Sequence, residues 1–303
     1  MKFKSLVFGL GLWGLTLTSL MVLPVEAGDP FRTQNPHPIG EHTEAAFNAI
    51  FRDGNYTLAQ TLLTTATEQE PKEPLAFAMR ASLAYDNNDF EIMKLYAEKT
   101  KQAAENLKGQ DPLRGNLYLA VGYFLEGGYL MKQGSYLDAV GKAGLVFDHV
   151  ERATQINPDD PELNLLRGYL DLFLSKYTPF SQSDQVITRF EQYASPPYLK
   201  NRALAITYRD LKKYDQALSY LNLALVETPE NPELQYLKGQ FLRIQGRENK
   251  NLSLLEQAQS YYQRALQKQA QLSRSVVVQL NHENNAVGYE IEKLKQNPNL
   301  ASF

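Results

Sequence analysis

Apolar residues recur along the chain at the spacing of a helix face, and no stretch of any length alternates as a strand does. The spacing is clearest over residues 201–208 and 217–226, with a polar turn at 212–215 between them. It predicts an all-α protein built from helix–turn–helix units.

One spacing, Ala-x4-Pro-x2-Pro, occurs three times, beginning at Ala66, Ala153 and Ala224. Two occurrences continue almost identically, as PELNLLRG from Pro161 and PELQYLKG from Pro232, which lie 71 residues apart. Asp160 and Asn231 precede these prolines and are residue types that cap helices, so a helix is expected to begin at each proline. A period of about 34 residues indicates stacked supersecondary units, not one closed core.

Residues 198–231 resemble the tetratricopeptide repeat, and they match its pattern at Leu204-Ala205, Tyr208, Ala217, Leu221, Ala224 and Pro229. Residues 115–160 match it at Tyr118, Val121-Gly122, Leu125, Ala153 and Pro158. The pattern's first aromatic is replaced in four units, by Thr43, Asn164, Asn201 and Gln235. The resemblance implies an all-α, right-handed solenoid of about six units with a C-terminal capping helix, and an irregular helical bundle is the alternative. More distantly, the whole chain is similar to exported tetratricopeptide repeat proteins of cyanobacteria.

The two ends of the chain differ in character from the repeats. Residues 1–27 are typical of a secretory signal, with a basic start, an apolar run and a cut site ahead of Gly28, although an uncleaved membrane anchor is the alternative. Residues 28–39 hold several prolines and no apolar period, which predicts an extended linker.

We divide the remaining chain, 40–303, into units at 40–73, 74–114, 115–160, 161–197, 198–231 and 232–272, with a cap at 274–296.

Composition excludes several kinds of function. The chain has 31 Lys and Arg against 34 Asp and Glu, so it lacks the basic excess that nucleic-acid binding needs. It has no Cys, and its four His form no ligand or catalytic pattern. We therefore predict no catalytic, cofactor-binding or metal-binding residue, and no stable membrane span after the signal is removed.

Two sets of residues are candidates for contact with a partner. In the repeat family the first helices line the concave side, and the resemblance places these residues there: Leu165, Tyr169, Phe173, Arg202, Arg209, Tyr236 and Arg243. Arg209 and Arg243 are 34 residues apart, so they predict a cationic row that meets an acidic or carboxylate-bearing segment. The unusually aromatic and glycine-rich segment 117–131 is read first as a buried helix and second as an interface made by Tyr118, Tyr123, Phe124 and Tyr129.

Three functions stay open from the sequence. The leading one is a non-catalytic exported scaffold that binds a peptide or partner helix in the concave groove. The second is a structural subunit that self-associates or docks on a membrane complex through residues 117–131, and the third is a helical enzyme. The signal and the lack of Cys favour the periplasm or, in a cyanobacterium, the thylakoid lumen.

Overall fold

The computed structural model describes residues 28–175 and 183–296, so the predicted signal at 1–27 lies outside the described residues. The described residues form thirteen α-helices and no strand, which confirms the all-α solenoid predicted from the sequence. The helices are α1 (Glu41–Phe47, continued by a π-helical turn, Asn48–Arg52), α2 (Tyr56–Gln69), α3 (Pro74–Asp86), α4 (Phe90–Leu107), α5 (Pro112–Lys132), α6 (Tyr136–Ile156), α7 (Pro161–Ser175), α8 (Ser183–Tyr193), α9 (Pro197–Asp210), α10 (Tyr214–Glu227), α11 (Pro232–Glu248), α12 (Leu252–Gln267) and α13 (Arg274–Gln296).

Consecutive helices pack in pairs, and five of the six pairs open with a helix whose first residue is proline. Those helices are α3, α5, α7, α9 and α11. Proline suits this position because its fixed φ is helical and the N–H that it lacks has no partner there. The residue before the proline often caps the helix, as Glu73, Asp111 and Asn231 do for α3, α5 and α11. The prolines that recur in the sequence therefore set where the first helix of each pair begins.

Within a pair the helices approach closely where the first helix carries glycine. A Cβ atom on Gly168 would lie 2.5 Å from the Phe190 ring of α8, and one on Gly239 would lie 2.5 Å from the Tyr262 ring of α12. Both rings are fully buried. Each glycine thus makes room for an aromatic side chain of its partner helix.

Residues 28–40 form no helix, but they lie against the fold instead of extending away from it as the predicted linker would. We call this segment the strap. Phe31 and Ile39 are buried at 6 % exposure, and the Phe31 ring meets Phe47 edge-on with centroids 5.1 Å apart. The guanidinium of Arg32 lies at the N-terminus of α7, where it meets Asp160. The strap therefore links the first helix pair to the fourth.

The turn between α1 and α2 and the first residues of α2 make hydrogen bonds to residues still further along the solenoid. The Asn231 side chain, at the start of α11, donates to the backbone oxygens of Phe51 and Arg52, at 3.4 and 3.1 Å. The Thr57 hydroxyl donates to the backbone oxygen of Ala270, just before α13, at 2.7 Å. Residues 28–57 thus contact the start of α7, the start of α11 and the segment before α13, and these contacts close the solenoid on itself.

Candidate partner-binding surface

The seven predicted groove residues all lie on first helices, namely α7, α9 and α11. The structure brings them to three different environments. Some face the chain's own first helix pair, some face α13, and only a few keep substantial exposure to solvent.

The N-terminal part of the predicted groove is filled by the protein itself. Leu165 is 4 % exposed, and it shares a hydrophobic cluster with Phe51, Tyr56 and Tyr169. Burial raises the pKa of Tyr169, as expected for a phenol removed from water. These two predicted groove residues therefore contribute to the protein's own core.

Arg202 is also engaged inside the chain. Its guanidinium lies 3.2 Å from the carboxylate of Glu233 on α11. Burial alone lowers the pKa of Arg202, but the nearby Glu233 carboxylate outweighs it and the pKa is raised. The side chain keeps its charge beside Tyr56 of the first pair, so this cation serves an internal contact.

At the C-terminal end, Arg243 and Tyr236 bind carboxylates of α13. Arg243 makes two hydrogen bonds to Glu290, from Nε at 3.1 Å and from an Nη at 2.8 Å. Hydrogen bonding to Glu290 is the main cause that raises the pKa of Arg243. Glu283 accepts from the hydroxyls of Tyr236 and Tyr262, at 2.8 and 2.9 Å. The aromatic and carboxylate contacts predicted for a partner are thus made by the protein's own capping helix.

Arg209 and Phe173 remain at the surface. The Arg209 guanidinium pairs with its neighbour Asp210 at 2.7 Å and lies 5.9 Å from the centre of the buried Phe241 ring. Phe173 is 44 % exposed. Its ring meets Phe124 of α5 edge-on, with centroids 5.6 Å apart. These residues lie in the C-terminal halves of their helices, away from the strap.

The aromatic residues predicted as a possible interface in segment 117–131 also differ in how far they are buried. Tyr118 is 2 % exposed and donates a hydrogen bond to Glu162, so it lies inside the protein and is not available to a partner. The Tyr123 ring stacks on His149, with centroids 5.6 Å apart, and the Tyr129 ring lies 5.3 Å from the Lys94 ammonium. Phe124 is 43 % exposed. It is the aromatic of this set that a partner can reach most readily.

Comparison with known proteins assigns the repeats. The profile of the tetratricopeptide repeat family matches residues 202–271, which include α10, α11 and α12. Over these residues the chain is similar to the tetratricopeptide repeat family. Such repeats serve as scaffolds for protein–protein interaction. No curated protein sequence matches the chain.

Two solved structures illustrate what the chain resembles. One is a thermophilic TPR protein of Thermus thermophilus, with 20 % identity and a TM-score of 0.42, covering 64 % of this chain and 93 % of that one. The other is the APC/C hetero-tetramer Cut9–Hcn1, with 13 % identity and a TM-score of 0.37, covering 84 % of this chain. This chain spans 55 % of the length of that second structure.

Sequence reasoning missed a buried ionic cluster between the strap and the helix pairs. Arg32 of the strap binds Asp160 through two hydrogen bonds, both 2.7 Å long, and binds Glu162 at 3.0 Å. Arg114 of α5 approaches the same Glu162 at 3.3 Å and Glu73 at 2.9 Å. The only sequence signal was that Asp160 caps a helix, since the residues that meet here are far apart along the chain.

Contacts between the charged side chains of this cluster oppose the effect of burial on their pKa values. Burial by itself lowers the pKa of Arg32, but the carboxylates of Glu162, Asp160 and Asp29 outweigh it and raise that pKa. Burial raises the pKa of Glu73, although its contacts with Arg114 act in the opposite direction. Burying an ion pair of this kind costs desolvation free energy, which offsets much of the attraction between the charges. The main effect of the cluster is therefore to determine which side chains meet.

A second missed feature is an apolar stripe on the outer face of α6. Leu137 is 90 % exposed, Val140 70 % and Phe147 46 %. Gly141 and Gly144 lie on the same side, and a Cβ atom on either would meet no heavy atom within 4 Å. The sequence signalled only the two glycines, because apolar residues of a helix are normally assigned to its buried side.

Within residues 28–175 and 183–296, no helix is long and apolar enough to cross a membrane. The same ranges hold no group of three His, Cys, Asp or Glu that could bind a metal ion.

Proposed function

We propose that the protein is a non-catalytic, exported scaffold that binds a peptide or partner helix on its inner surface. The surface used is the part of α5 and α7 around Phe124 and Phe173, whose side chains are 43 % and 44 % exposed. The observation that carries the proposal is the edge contact of Phe124 with Phe173, which joins two units while both rings remain more than 40 % exposed.

An aromatic pair of this kind suits a partner's apolar side chain. Burying the exposed area of two phenylalanine rings contributes roughly 1–3 kcal/mol, at about 25 cal/mol per Å². Arg209 lies on the next first helix, α9, where its guanidinium pairs with Asp210 at 2.7 Å. A partner segment that combines an apolar residue with a carboxylate matches this arrangement.

The test compares two double variants of the tagged mature chain as bait in an extract of the exported compartment. Phe124→Ser/Phe173→Ser removes the aromatic pair. Leu223→Ser/Val226→Ser removes two exposed apolar side chains of α10, a second helix, and serves as the matched control. We expect the first variant to lose a partner that wild type and control both retain, with circular dichroism unchanged. Equal capture by all three chains would contradict the proposal.

Export itself is tested by location. The signal at 1–27 and a cut ahead of Gly28 direct the mature chain to the periplasm. A fusion of residues 1–40 to a reporter that is active only outside the cytoplasm should be active, and removal of residues 6–23 should abolish that activity.

The α6 stripe favours a second function, which is self-association of the subunit. Leu137, Val140 and Phe147 form an apolar row on the helix surface opposite its buried residues. Sedimentation equilibrium of wild type and of Leu137→Asp distinguishes the two functions. A wild-type dimer that the substitution makes monomeric would support self-association, and a monomeric wild type would exclude it.

A further inference from the structure

The first residue after the predicted cut has a specific partner in the fold. The backbone nitrogen of Gly28 donates to the Glu44 carboxylate on α1, at 2.9 Å. Gly28 is exposed, whereas the side chain of Asp29 next to it is 1 % exposed. The chain thus passes from solvent to a buried position within one residue of the cut.

Asp29 holds the strap in the shape that brings Gly28 to Glu44. Its carboxylate accepts from the backbone nitrogens of Phe31, at 2.8 Å, and of His37, at 2.9 Å. It also accepts from Arg32 at 2.9 Å, and Arg32 is itself fixed by Asp160 and Glu162. The position of Gly28 is therefore fixed from its C-terminal side by the buried contacts of Asp29.

Resting on the export proposed above, we infer that Glu44 is a recognition site for the α-amino group that cleavage creates at Gly28. Cleavage turns the same nitrogen from a neutral amide into an ammonium group. A charge-assisted hydrogen bond to a carboxylate is stronger than one from an amide. Glycine fits the position closely, because a Cβ atom there would lie 3.3 Å from a Glu44 oxygen.

The site also bears on when the chain is cut. A peptidase holds its substrate extended on both sides of the scissile bond, and on the C-terminal side Asp29, Phe31 and Arg32 are buried in the folded protein. Cleavage must therefore precede docking of the strap. Once the strap has docked, the new N-terminus is held by Glu44 and the residues after it are shielded from further trimming.

The experiment uses the mature chain beginning at Gly28, prepared free and Nα-acetylated, each with wild-type Glu44 or with Glu44→Gln. Glu41→Gln is the matched control, since Glu41 is an exposed glutamate in the same first turn of α1. We expect acetylation to lower the melting temperature of the wild type and of the control by about 1–3 °C at pH 7. The loss should be absent in Glu44→Gln. It should also vanish at pH 9.5, because an α-amino group with a pKa of about 8 is then neutral in either chain.

Two results would overturn the inference. One is an acetylation effect that persists in Glu44→Gln or is absent in wild type. The other is an intact mass, measured on protein recovered from the exported compartment, that places the N-terminus elsewhere than at Gly28. Failure of export would appear separately, as protein that stays in the cytoplasm with residues 1–27 attached, while the melting data on the prepared chains still report on the Glu44 contact.

Discussion

At the scale of single residues, two kinds of helical glycine can be distinguished. At some positions a neighbouring side chain leaves no room for a Cβ atom, and at others the position is open to solvent. Gly168 and Gly239 each face an aromatic ring that leaves no space for a Cβ atom. Gly144, in the middle of α6, faces open solvent. All three are helical, so the backbone cost of glycine in a helix is similar at each position.

We predict opposite effects of alanine at these positions. Gly168→Ala and Gly239→Ala should lower the free energy of unfolding, because an overpacking cost of about 1–3 kcal/mol exceeds the helix propensity that is gained. Gly144→Ala is the matched control and should raise it by about 0.5–1 kcal/mol. Urea unfolding followed by circular dichroism measures all three. A stabilised Gly168→Ala would show that the α7–α8 contact is looser than described.

Gly168 and Gly239 end the two near-identical segments PELNLLRG and PELQYLKG, so the sequence shows that they hold equivalent positions in two units. It could not indicate what Tyr262 does beyond filling the space beside Gly239. The Tyr262 hydroxyl binds Glu283 on α13, and the contact depends on how the last helix folds back on the solenoid. Local spacing fixes which residues of a helix pair meet, but it says little about contacts made by a helix that belongs to no repeat.

At the scale of elements, α4, α5 and α6 are joined by one carboxylate. Glu126 of α5 lies 2.8 Å from Lys101 of α4 and 2.8 Å from Lys142 of α6. The centre of the Tyr123 ring lies 5.1 Å from the Lys101 ammonium and 5.7 Å from the Lys142 ammonium. Burial acts to raise the pKa of Glu126, but the hydrogen bonds from the two lysines outweigh it and the pKa is lowered. The carboxylate is therefore more stable in the folded protein than in the unfolded chain.

A lowered pKa fixes the sign of the pH dependence. The stability that Glu126 contributes is present above the ordinary pKa of a glutamate and is lost as the pH falls through the lowered value. Glu126→Gln should lower the free energy of unfolding at pH 7 by about 1 kcal/mol, and the difference from wild type should narrow as the pH falls through the lowered pKa of Glu126. Glu98→Gln is the control, since Glu98 pairs with the same Lys101 but is 55 % exposed, and its effect should be smaller. A difference that grows at low pH would contradict the assignment.

The residues at which helices begin could be predicted from the sequence more reliably than the unit boundaries and the exposure of side chains. Pro161 and Pro232 follow capping residues, and helices begin at both. Pro112 begins α5 in the same way, but the segment before it lacks the repeated Ala-x4-Pro spacing, and the sequence pattern set a unit boundary at 115 instead. Exposure was the least predictable property, since the row Leu137, Val140 and Phe147 has the composition of a buried face.

At the scale of the whole molecule, residues 28–57 close the solenoid, and the sequence contains no local signal for this. Arg32 and Asp160 are 128 positions apart, and Asn231 lies 180 positions from Phe51. An open solenoid holds only contacts between neighbouring units, so its units can unfold separately. Contacts between the first pair and the later units add cooperativity that such a chain lacks.

Arg32→Ala tests this closure. The change leaves Asp29, Asp160 and Glu162 buried without the cation that they share, and breaking a buried pair in this way costs about 3–5 kcal/mol. In hydrogen exchange measured by mass spectrometry, we expect residues 28–69 of the variant to exchange well before α3–α6, whereas in wild type they exchange with the rest of the core. Arg247→Ala is the control, because that side chain is 62 % exposed and its loss should leave the exchange pattern unchanged. Uniform loss of protection along the variant chain would mean that the first pair is inseparable from the core. Selective opening would show instead that it covers Leu165, Tyr169 and Arg202 as a distinct element.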